Sequence, residues 1–453
     1  MLLPAIADKF NVSAGTAAWV AAVYTLANAG GFVAASHAGD LIGHKRVAIT
    51  GSYLEVITLM LIVFSPTLAL IIAFRFVQGI AHAMAVPNLS AYVVSNFPQE
   101  QRGRALGINS FPVGIGMIFI AALVGAISDA WGWRAAFLVP AVAVLLITVM
   151  MNLSLRDPDE KPRRRPKFEE FDLPGAVLLM GALVPLLVGV QMAVQRQWGI
   201  WPYALMVFAV ALAAYLVRFE YRREHAALPV RLFKSARFAV PNVYNVLFNF
   251  ANSVGLYMLP VFFIQGLGWT AAYAGFVIIA FNVGRPVASL LSGFLADKIG
   301  PQPIMMTGAA VLVMSLVGVA FTVPTGSLMA MVPFMVFYGF GQNLFGTANQ
   351  KAMYSVVPQD QLAMAPGTLG LGRHMSNTAG VGVAAGIFGG FIAGAGVGGE
   401  ADAAAMGFRI AMFSTAAFVI AGMTLAWVIP ALWRMRRTEE AMAESGPAPP
   451  IGG

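Results

Sequence analysis

The stretch AGDLIGHKR, residues 38–46, and the stretch GFLADKIG, residues 293–300, form a short charged turn that occurs twice in the chain. In each turn an aspartate stands three residues before a glycine, and long apolar runs flank the turn on both sides. Charged side chains in such surroundings are stable only where water or a partner meets them, so both turns are expected at a membrane surface. A turn repeated at corresponding points of two halves predicts an internally duplicated transporter.

The composition is that of a polytopic membrane protein. Of the 453 residues, 59% are hydrophobic and 11% are charged, whereas a soluble domain carries about 25% charged residues. The net charge of +8 does not indicate nucleic-acid binding, because the charges lie in the loops between apolar segments, as membrane topology requires. The absence of cysteine excludes disulfides and thiolate metal sites, and we expect neither a metal nor a cofactor.

Thirteen apolar segments are long enough to cross about 30 Å of hydrocarbon. They are residues 14–38, 47–65, 67–95, 104–128, 132–154, 173–194, 200–219, 239–265, 270–295, 303–323, 327–349, 367–394 and 407–433. When the loops are assigned to alternate sides, one side holds 21 of the 28 lysines and arginines. We expect the protein in the cell membrane (inner or plasma membrane). The positive-inside rule places the basic side, with the C-terminus, in the cytoplasm.

The spacing of the two turns predicts the domain organisation. Asp40 and Asp297 lie 257 residues apart, and between them are the charged segment 156–172, two spans and a basic loop. Without that extra pair and its linkers, each repeat has about 190 residues, which suits six helices. The expected units are an N-terminal bundle, a segment of linkers with two extra spans, a C-terminal bundle and a tail, at residues 1–155, 156–238, 239–436 and 437–453.

Several motifs together resemble the major facilitator superfamily, and specifically its fourteen-span drug:proton antiporter branch. The turns resemble the family's signature after its second span and the second-half copy of that signature. The stretch RFVQGIAHA (75–83) is similar to the arginine motif of its fourth span. Three further segments also resemble this branch: FDLPGAVLL (171–179), LPVRLFK (228–234) and LPVFFIQGLGWTAAYAG (259–275). The resemblance implies an all-α fold of two six-helix pseudo-repeats joined by two extra spans, here with about 13 spans.

The chain departs from the family pattern at three places. The first turn has Ser36 for the usual glycine and Leu41 for the usual basic residue. The Gly-Pro pair of the antiporter signature is replaced by Ile120-Ala121. The opening residues MLLPAIADKF resemble the end of the family's first span, so we expect the true start to lie upstream.

Polar side chains at helical spacing predict a cavity in the second half. Four asparagines of span 239–265 fall on one helix face, where amides are expected to face a wet cavity or to bond another helix. Shorter patches occur in three other spans of the two halves. The substrate-cavity candidates are Arg75, Gln78, His82, Asn242, Asn245, Asn249, Asn252, Asn282, Arg285, Tyr338, Gln342 and Asn343.

Two first-half residues are proton-coupling candidates. Glu55 lies mid-membrane in span 47–65, where a carboxyl can carry a proton or pair locally with a first-half arginine. His82 is a candidate because the unperturbed pKa of histidine lies near neutral pH, and the alternative is a neutral hydrogen-bonding residue. Arg75, an intramembrane arginine, is a candidate for coupling or gating, or for bonding carbonyls of its own bundle.

The turns are candidates for gating, because each aspartate can accept bonds from basic residues or cap a neighbouring helix. Breaking such a latch would shift the population of transporter orientations. The gating candidates are Asp40, Gly43, Lys45, Arg46, Gly293, Asp297, Lys298 and Gly300. A different surface is expected in span 367–394, where Gly382, Gly386, Gly390 and Gly394 recur every four residues and predict a close-packed seam.

These features predict a monomeric secondary transporter that exports small amphipathic organic compounds in exchange for protons. A metabolite importer or uniporter of the same fold is the alternative, and a non-transporting membrane receptor would need a soluble domain that no segment is long enough to form. The chain lacks the HExxH, GxSxG and GxxxxGK[ST] motifs, which argues against an enzyme and against ATP-driven transport.

Overall fold

The computed structural model describes residues 3–12, 14–154, 173–195, 199–223, 230–357, 362, 364–394 and 400–444, which are helical almost throughout. The expected linker 156–172 lies outside these ranges. The helices are α1 (Leu3–Phe10), α2 (Ala14–Ile42), α3 (His44–Phe64), α4 (Leu68–Ser95), α5 (Arg102–Ser154), α6 (Leu173–Gln195), α7 (Trp201–Tyr221), α8 (Ala236–Val261), α9 (Ala271–Ile299), α10 (Pro301–Thr322), α11 (Leu328–Tyr354), α12 (Met364–Gly394) and α13 (Glu400–Glu444).

Each predicted span falls on a helix, and one helix carries two spans. Spans 104–128 and 132–154 both lie in α5, which is interrupted at Gly132 by a non-helical conformation with φ 83°. Only glycine adopts this region readily, so Gly132 turns the chain back at the membrane surface. Among the described residues, ten helices are long and apolar enough to cross a membrane.

The helices form two bundles with an additional pair beside them. In the first bundle α4 packs against α2 and α3, and α3 packs against α5. In the second, α8 packs against α12 and α13, while α11 packs between α9 and α10. Helices α6 and α7 pair with each other, and α6 lies against α2 and α12. The bundles meet along two helix pairs, α5 with α9 and α2 with α12.

The two charged turns have the same backbone design. Gly43 alone separates α2 from α3, with φ 105°, and Gly300 alone separates α9 from α10, with φ 87°. A β-carbon is strained at such angles, so glycine allows two long helices to reverse direction across a single residue. The corresponding geometry confirms the internal duplication that the sequence predicts.

Two glycines of the expected seam on α12 are not packed by the described residues. A β-carbon placed at Gly386 or Gly390 would meet open space, and only Gly382 approaches a side chain, that of Val190. Close contacts with α2 form instead at the other end of α12, where Gly370 meets the ring of Phe32 and Gly367 meets Ser36. Glycine spacing alone predicts a smooth helix face, but it does not tell which face a neighbour occupies.

Candidate functional site: a cavity, a charged pair and a latch

A cavity of about 240 Å³ lies where the two bundles meet. Its lining comes from α2, α4 and α5 on one side and from α8, α9, α11 and α12 on the other. Six of the predicted cavity residues line it: Asn245, Asn249, Asn252, Arg285, Gln342 and Asn343. The structure therefore brings together side chains from three separate helices of the second half.

The asparagines of α8 divide between the cavity and the bundle interior. Asn245 donates from Nδ2 to the carbonyl of Leu369 on α12, at 2.7 Å. Asn249 donates from Nδ2 to the side-chain oxygen of Asn245, at 2.9 Å, so the two amides form a chain along the cavity wall. Asn242 is buried and donates to the carbonyl of Phe238, at 3.0 Å, outside the lining.

The polar patch on α11 divides in the same way. Gln342 and Asn343 line the cavity, and Asn343 donates from Nδ2 to the carbonyl of Arg285, at 2.9 Å. Tyr338 is fully buried inside the second bundle, where its hydroxyl donates to the carbonyl of Ala251, at 2.8 Å. The hydroxyl of Tyr338 thus ties α11 to α8 behind the cavity.

Two α12 residues, Arg373 and Asn377, line the cavity and were missing from the sequence-derived candidates. They stand four residues apart and so share a helix face. An arginine within an apolar segment is a functional signal by itself, and it would have identified this face. The glycine pattern of the same span predicts a packing seam and gives no sign of a polar face. Further polar lining residues are Ser90, Ser110, Asn349, Gln350 and Tyr354.

Arg75 and Gln78 lie inside the first bundle, outside the cavity lining. The guanidinium of Arg75 donates from Nε to the carbonyl of Val20, at 3.1 Å, and from Nη1 to Oε1 of Gln78, at 2.9 Å. It also lies 4.9 Å from the ring centroid of Tyr24. These contacts tie α4 to α2.

Glu55 and His82 form a pair between α3 and α4. Nδ1 of His82 lies 3.3 Å and 3.4 Å from the two carboxylate oxygens of Glu55. The hydrogen-bond partner of Glu55 is therefore an imidazole, and Arg75, a first-half arginine, lies close enough to interact with the charge of Glu55. The ring of His82 lies 5.9 Å from that of Tyr24, which links the pair to α2 and to the Arg75 cluster. His82, like Arg75 and Gln78, lies outside the cavity lining.

Asp297, in the second charged turn, joins the two bundles. Its carboxylate accepts hydrogen bonds from the backbone N–H groups of Gly103, at 2.9 Å, and Arg104, at 2.7 Å. These are the first N–H groups of α5, which have no partner within the helix, and a negative charge there is favourable. The Nζ of Lys351 donates to Oδ1 of the same carboxylate, at 2.6 Å.

The helix crossing beside this aspartate is made of small residues. A β-carbon at Gly293 would collide with the carbonyl of Gly103, and one at Gly107 would lie 2.6 Å from the carbonyl of Ser289. Next to it, Arg102 donates from Nη1 to the carbonyl of Tyr354, at 3.2 Å, and Tyr354 lines the cavity. We call Arg102, Asp297 and Lys351 the latch. It joins the bundles at the end that carries both turns.

The first turn makes two polar contacts within its own bundle. Asp40 lies 3.6 Å from Nε2 of His44, and Nδ1 of His44 lies 3.3 Å from Oδ1 of Asn88 on α4. Ser36, which replaces the family's glycine, donates to the carbonyl of Phe32, at 2.7 Å, and faces Gly367 of α12. The small residue required at the α2–α12 crossing is therefore supplied by α12.

The remaining turn residues lie at helix ends. Lys45 and Arg46 lie in the first turn of α3, where Lys45 is partly buried and Arg46 is exposed. Lys298 is exposed in the last turn of α9. Gly43 and Gly300 are the hinges between helices described above. All eight gating candidates thus lie in or beside the two turns, and among them Asp297 accepts hydrogen bonds from the other bundle.

The chain matches the family model of the Major Facilitator Superfamily over residues 1–381 and 244–451. It is 27% identical over 386 residues to the multidrug resistance protein Stp of Mycobacterium tuberculosis, covering 84% of this chain and 70% of that one. It is 24% identical to the riboflavin transporter RibZ of Clostridioides difficile, over 82% of this chain and 80% of that one. The lincomycin resistance protein of Streptomyces lincolnensis is 29% identical, over 73% of this chain and 66% of that one.

Solved structures support the fold. The proton:xylose symporter XylE superposes with a TM-score of 0.64, covering 94% of this chain and 90% of that one, at 14% sequence identity. The human organic anion transporter MFSD10 superposes with a TM-score of 0.61, covering 94% of this chain and 88% of that one, at 15% sequence identity. At these identities the likeness shows the architecture alone.

Proposed function

The chain belongs to the Major Facilitator Superfamily and is a multi-pass membrane transporter, not an enzyme, and we propose that it exports small amphipathic organic compounds in exchange for protons. The single observation that carries the proposal is a cavity between two bundles, joined at one end by the latch. A cavity that is held closed at one end by a few breakable bonds suits alternating access. The names of the multidrug and lincomycin resistance relatives support export as the direction.

The latch supports a closed state at the turn-bearing end. Three hydrogen bonds converge on the carboxylate of Asp297, two from the first bundle and one from Lys351 of the second. Hydrogen bonds to charged groups contribute about 1.5–3 kcal/mol each. The three bonds to Asp297 are therefore strong enough to stabilise one orientation of the transporter, and weak enough to break when the orientation changes. The basic loops make the turn-bearing side the cytoplasmic one, and residues 1–155 and 239–436 are the units that rock.

The Glu55–His82 pair is the proposed proton-coupling site. Glu55 is the only acidic residue within the thirteen predicted spans, and among the described residues its hydrogen-bond partner is His82. A proton added to the carboxylate changes the hydrogen bond between the two side chains, which join α3 to α4. Because Tyr24 and Arg75 connect the pair to α2, whose Phe32 lines the cavity, the change can reach the substrate site.

Metabolite transport is the second candidate function. The riboflavin transporter RibZ aligns over most of both chains, and Ile120-Ala121 stands where the antiporter signature has Gly-Pro. Both observations favour a carrier that transports a metabolite and does not export drugs. The direction of net movement distinguishes the two candidates.

Accumulation in bacterial cells tests the proposed function. An efflux-deficient strain that expresses the full chain is loaded with three fluorescent probes, the cation ethidium, the neutral dye Nile red and the anion carboxyfluorescein. We expect lower accumulation of at least one probe than in cells with empty vector, and a protonophore should abolish the difference. Asp297→Asn should weaken export, while Asp402→Asn, an exposed aspartate of α13, is the matched control.

The outcomes separate the candidates. Higher accumulation in expressing cells would favour the importer and contradict export. Export that persists unchanged after the proton gradient is collapsed would contradict proton coupling. Equal accumulation in all strains, with the protein present in the membrane, would overturn export of this class of compound.

A further inference from the structure

Two arginines project into the same cavity from different helices, Arg285 of α9 and Arg373 of α12. The guanidinium of Arg285 donates from Nη1 to the amide oxygen of Asn282, at 3.3 Å, and lies 5.5 Å from the ring centroid of Phe281. That of Arg373 lies 5.8 Å from the ring centroid of Phe32. In the described part of the chain neither arginine is paired with a carboxylate, and no acidic residue lines the cavity.

Glu55 is the only acidic residue in the predicted spans, and it is paired with His82 in the first bundle. The two arginine charges repel each other across the cavity. Uncompensated charge in a site of low dielectric is costly, and an anion that enters between the guanidinium groups would relieve that cost.

The same cavity contains amide oxygens that have no hydrogen-bond partner among the described residues. Oxygen atoms of Asn252, Gln342, Asn349 and Asn377 are buried there without a hydrogen bond. Asn377 stands one helical turn from Arg373, so the two side chains approach the cavity from the same face of α12. Amides provide both donors and acceptors, and buried ones are normally satisfied. The unpartnered atoms are acceptors, so they favour a ligand that carries an N–H or O–H donor in addition to the group held by the arginines.

Aromatic side chains form the apolar part of the wall. The rings of Phe248 and Phe345 are stacked with their planes 5° apart, and both line the cavity with Phe32. Such a surface suits a flat apolar body. The arrangement combines an aromatic wall, amides and two positive charges in one space.

We propose that the transported compound is an organic anion, in which an aromatic or alicyclic body rests on the phenylalanines and an anionic oxygen group is held by Arg373 and Arg285. Arginine suits this task because its planar guanidinium donates two parallel hydrogen bonds to a carboxylate. That the bound anion is also transported rests on the proposed function. That the anion binds depends only on the residues of the cavity.

Binding to the full-length protein in detergent tests the charge preference. Three probes of nearly equal shape are compared, 2-naphthoate, 2-naphthamide and 2-naphthylmethylammonium, by the shift in melting temperature as each is titrated. We expect 2-naphthoate to bind the wild type most tightly. Arg373→Gln and Arg285→Gln should each weaken its binding roughly tenfold to a hundredfold, the value of one charged hydrogen-bonded contact.

Two further variants separate binding from folding. Arg373→Lys keeps the charge but not the planar fork, so it should recover part of the affinity for 2-naphthoate. Arg218→Gln removes an exposed arginine of α7 and should leave the affinity unchanged. The melting temperature without any probe reports whether a variant is folded. Equal binding of the three probes, or preferred binding of the ammonium, would overturn the inference.

Flux in proteoliposomes distinguishes this inference from the proposed function. If 2-naphthoate binds selectively but a pH gradient drives no transport of it, the anion site stands and proton-coupled export fails. If the gradient drives the ammonium or the amide in preference to 2-naphthoate, proton-coupled transport stands and the anion inference fails. Selective, gradient-driven movement of 2-naphthoate supports both.

Discussion

At the scale of single residues, Glu55 and His82 are the groups most directly connected to energy coupling. They face each other at 3.3 Å between α3 and α4, within an apolar segment. A carboxylate at this depth needs a partner for its charge, and His82 supplies one. Because the pair lies away from the cavity lining, its loss should affect coupling more than substrate binding.

The variant Glu55→Gln keeps the shape of the side chain but cannot take up or release a proton. We expect it to lose transport driven by a pH gradient and to keep downhill exchange of substrate. Both rates are measured in proteoliposomes with the probe that the wild type transports. Gradient-driven transport at the wild-type rate would exclude Glu55 as the coupling residue, and Glu100→Gln, an exposed glutamate before α5, is the matched control.

The candidate site could be predicted in part from residue spacing. The face of α8 that carries Asn245, Asn249 and Asn252 was identified because amides in an apolar helix at helical spacing must share a polar neighbour. Tyr338 was assigned to the same space, but its hydroxyl bonds Ala251 inside the second bundle. Periodicity defines a face of a helix, whereas the neighbour of that face depends on packing between distant segments.

At the scale of elements, the crossing of α5 and α9 depends on Gly103 and Gly293, whose backbones are in direct contact. The spans themselves could be predicted from hydropathy, since a membrane helix satisfies its backbone internally. The crossing could not, because it joins residues 190 positions apart. The glycine pattern on α12 was misleading for the same reason, since the described chain leaves Gly386 and Gly390 in open space.

A matched pair of glycine substitutions tests this crossing. Alanine favours a helix over glycine by about 1 kcal/mol, so Gly386→Ala should be neutral or stabilising. Gly293→Ala gains the same propensity, but its β-carbon would collide with the carbonyl of Gly103, and such overpacking costs about 1–3 kcal/mol. We expect a lower melting temperature in detergent for Gly293→Ala only. Equal melting temperatures of the two variants would contradict the tight crossing.

At the scale of the whole molecule, two bundles enclose a polar cavity, and the latch joins them at one end. The repeated turn predicted the duplication, and Gly43 and Gly300 form corresponding hinges. Asp297 accepts hydrogen bonds from the other bundle, and Asp40 lies 3.6 Å from His44 of its own bundle. Sequence likeness between the turns could not predict these contacts, because they depend on which helix end lies opposite each aspartate.

The most direct test of alternating access measures the distance between the bundles at the latch end. The chain has no cysteine, so Gln99→Cys and Gln302→Cys, both exposed and in different bundles, can carry spin labels without further changes. Double electron–electron resonance in lipid nanodiscs should show two distance populations whose ratio changes with pH. Asp297→Asn should favour the longer distance, changing the ratio roughly tenfold, and Glu55→Gln should remove the pH dependence. A single distance distribution, unchanged by pH and by both substitutions, would contradict the account.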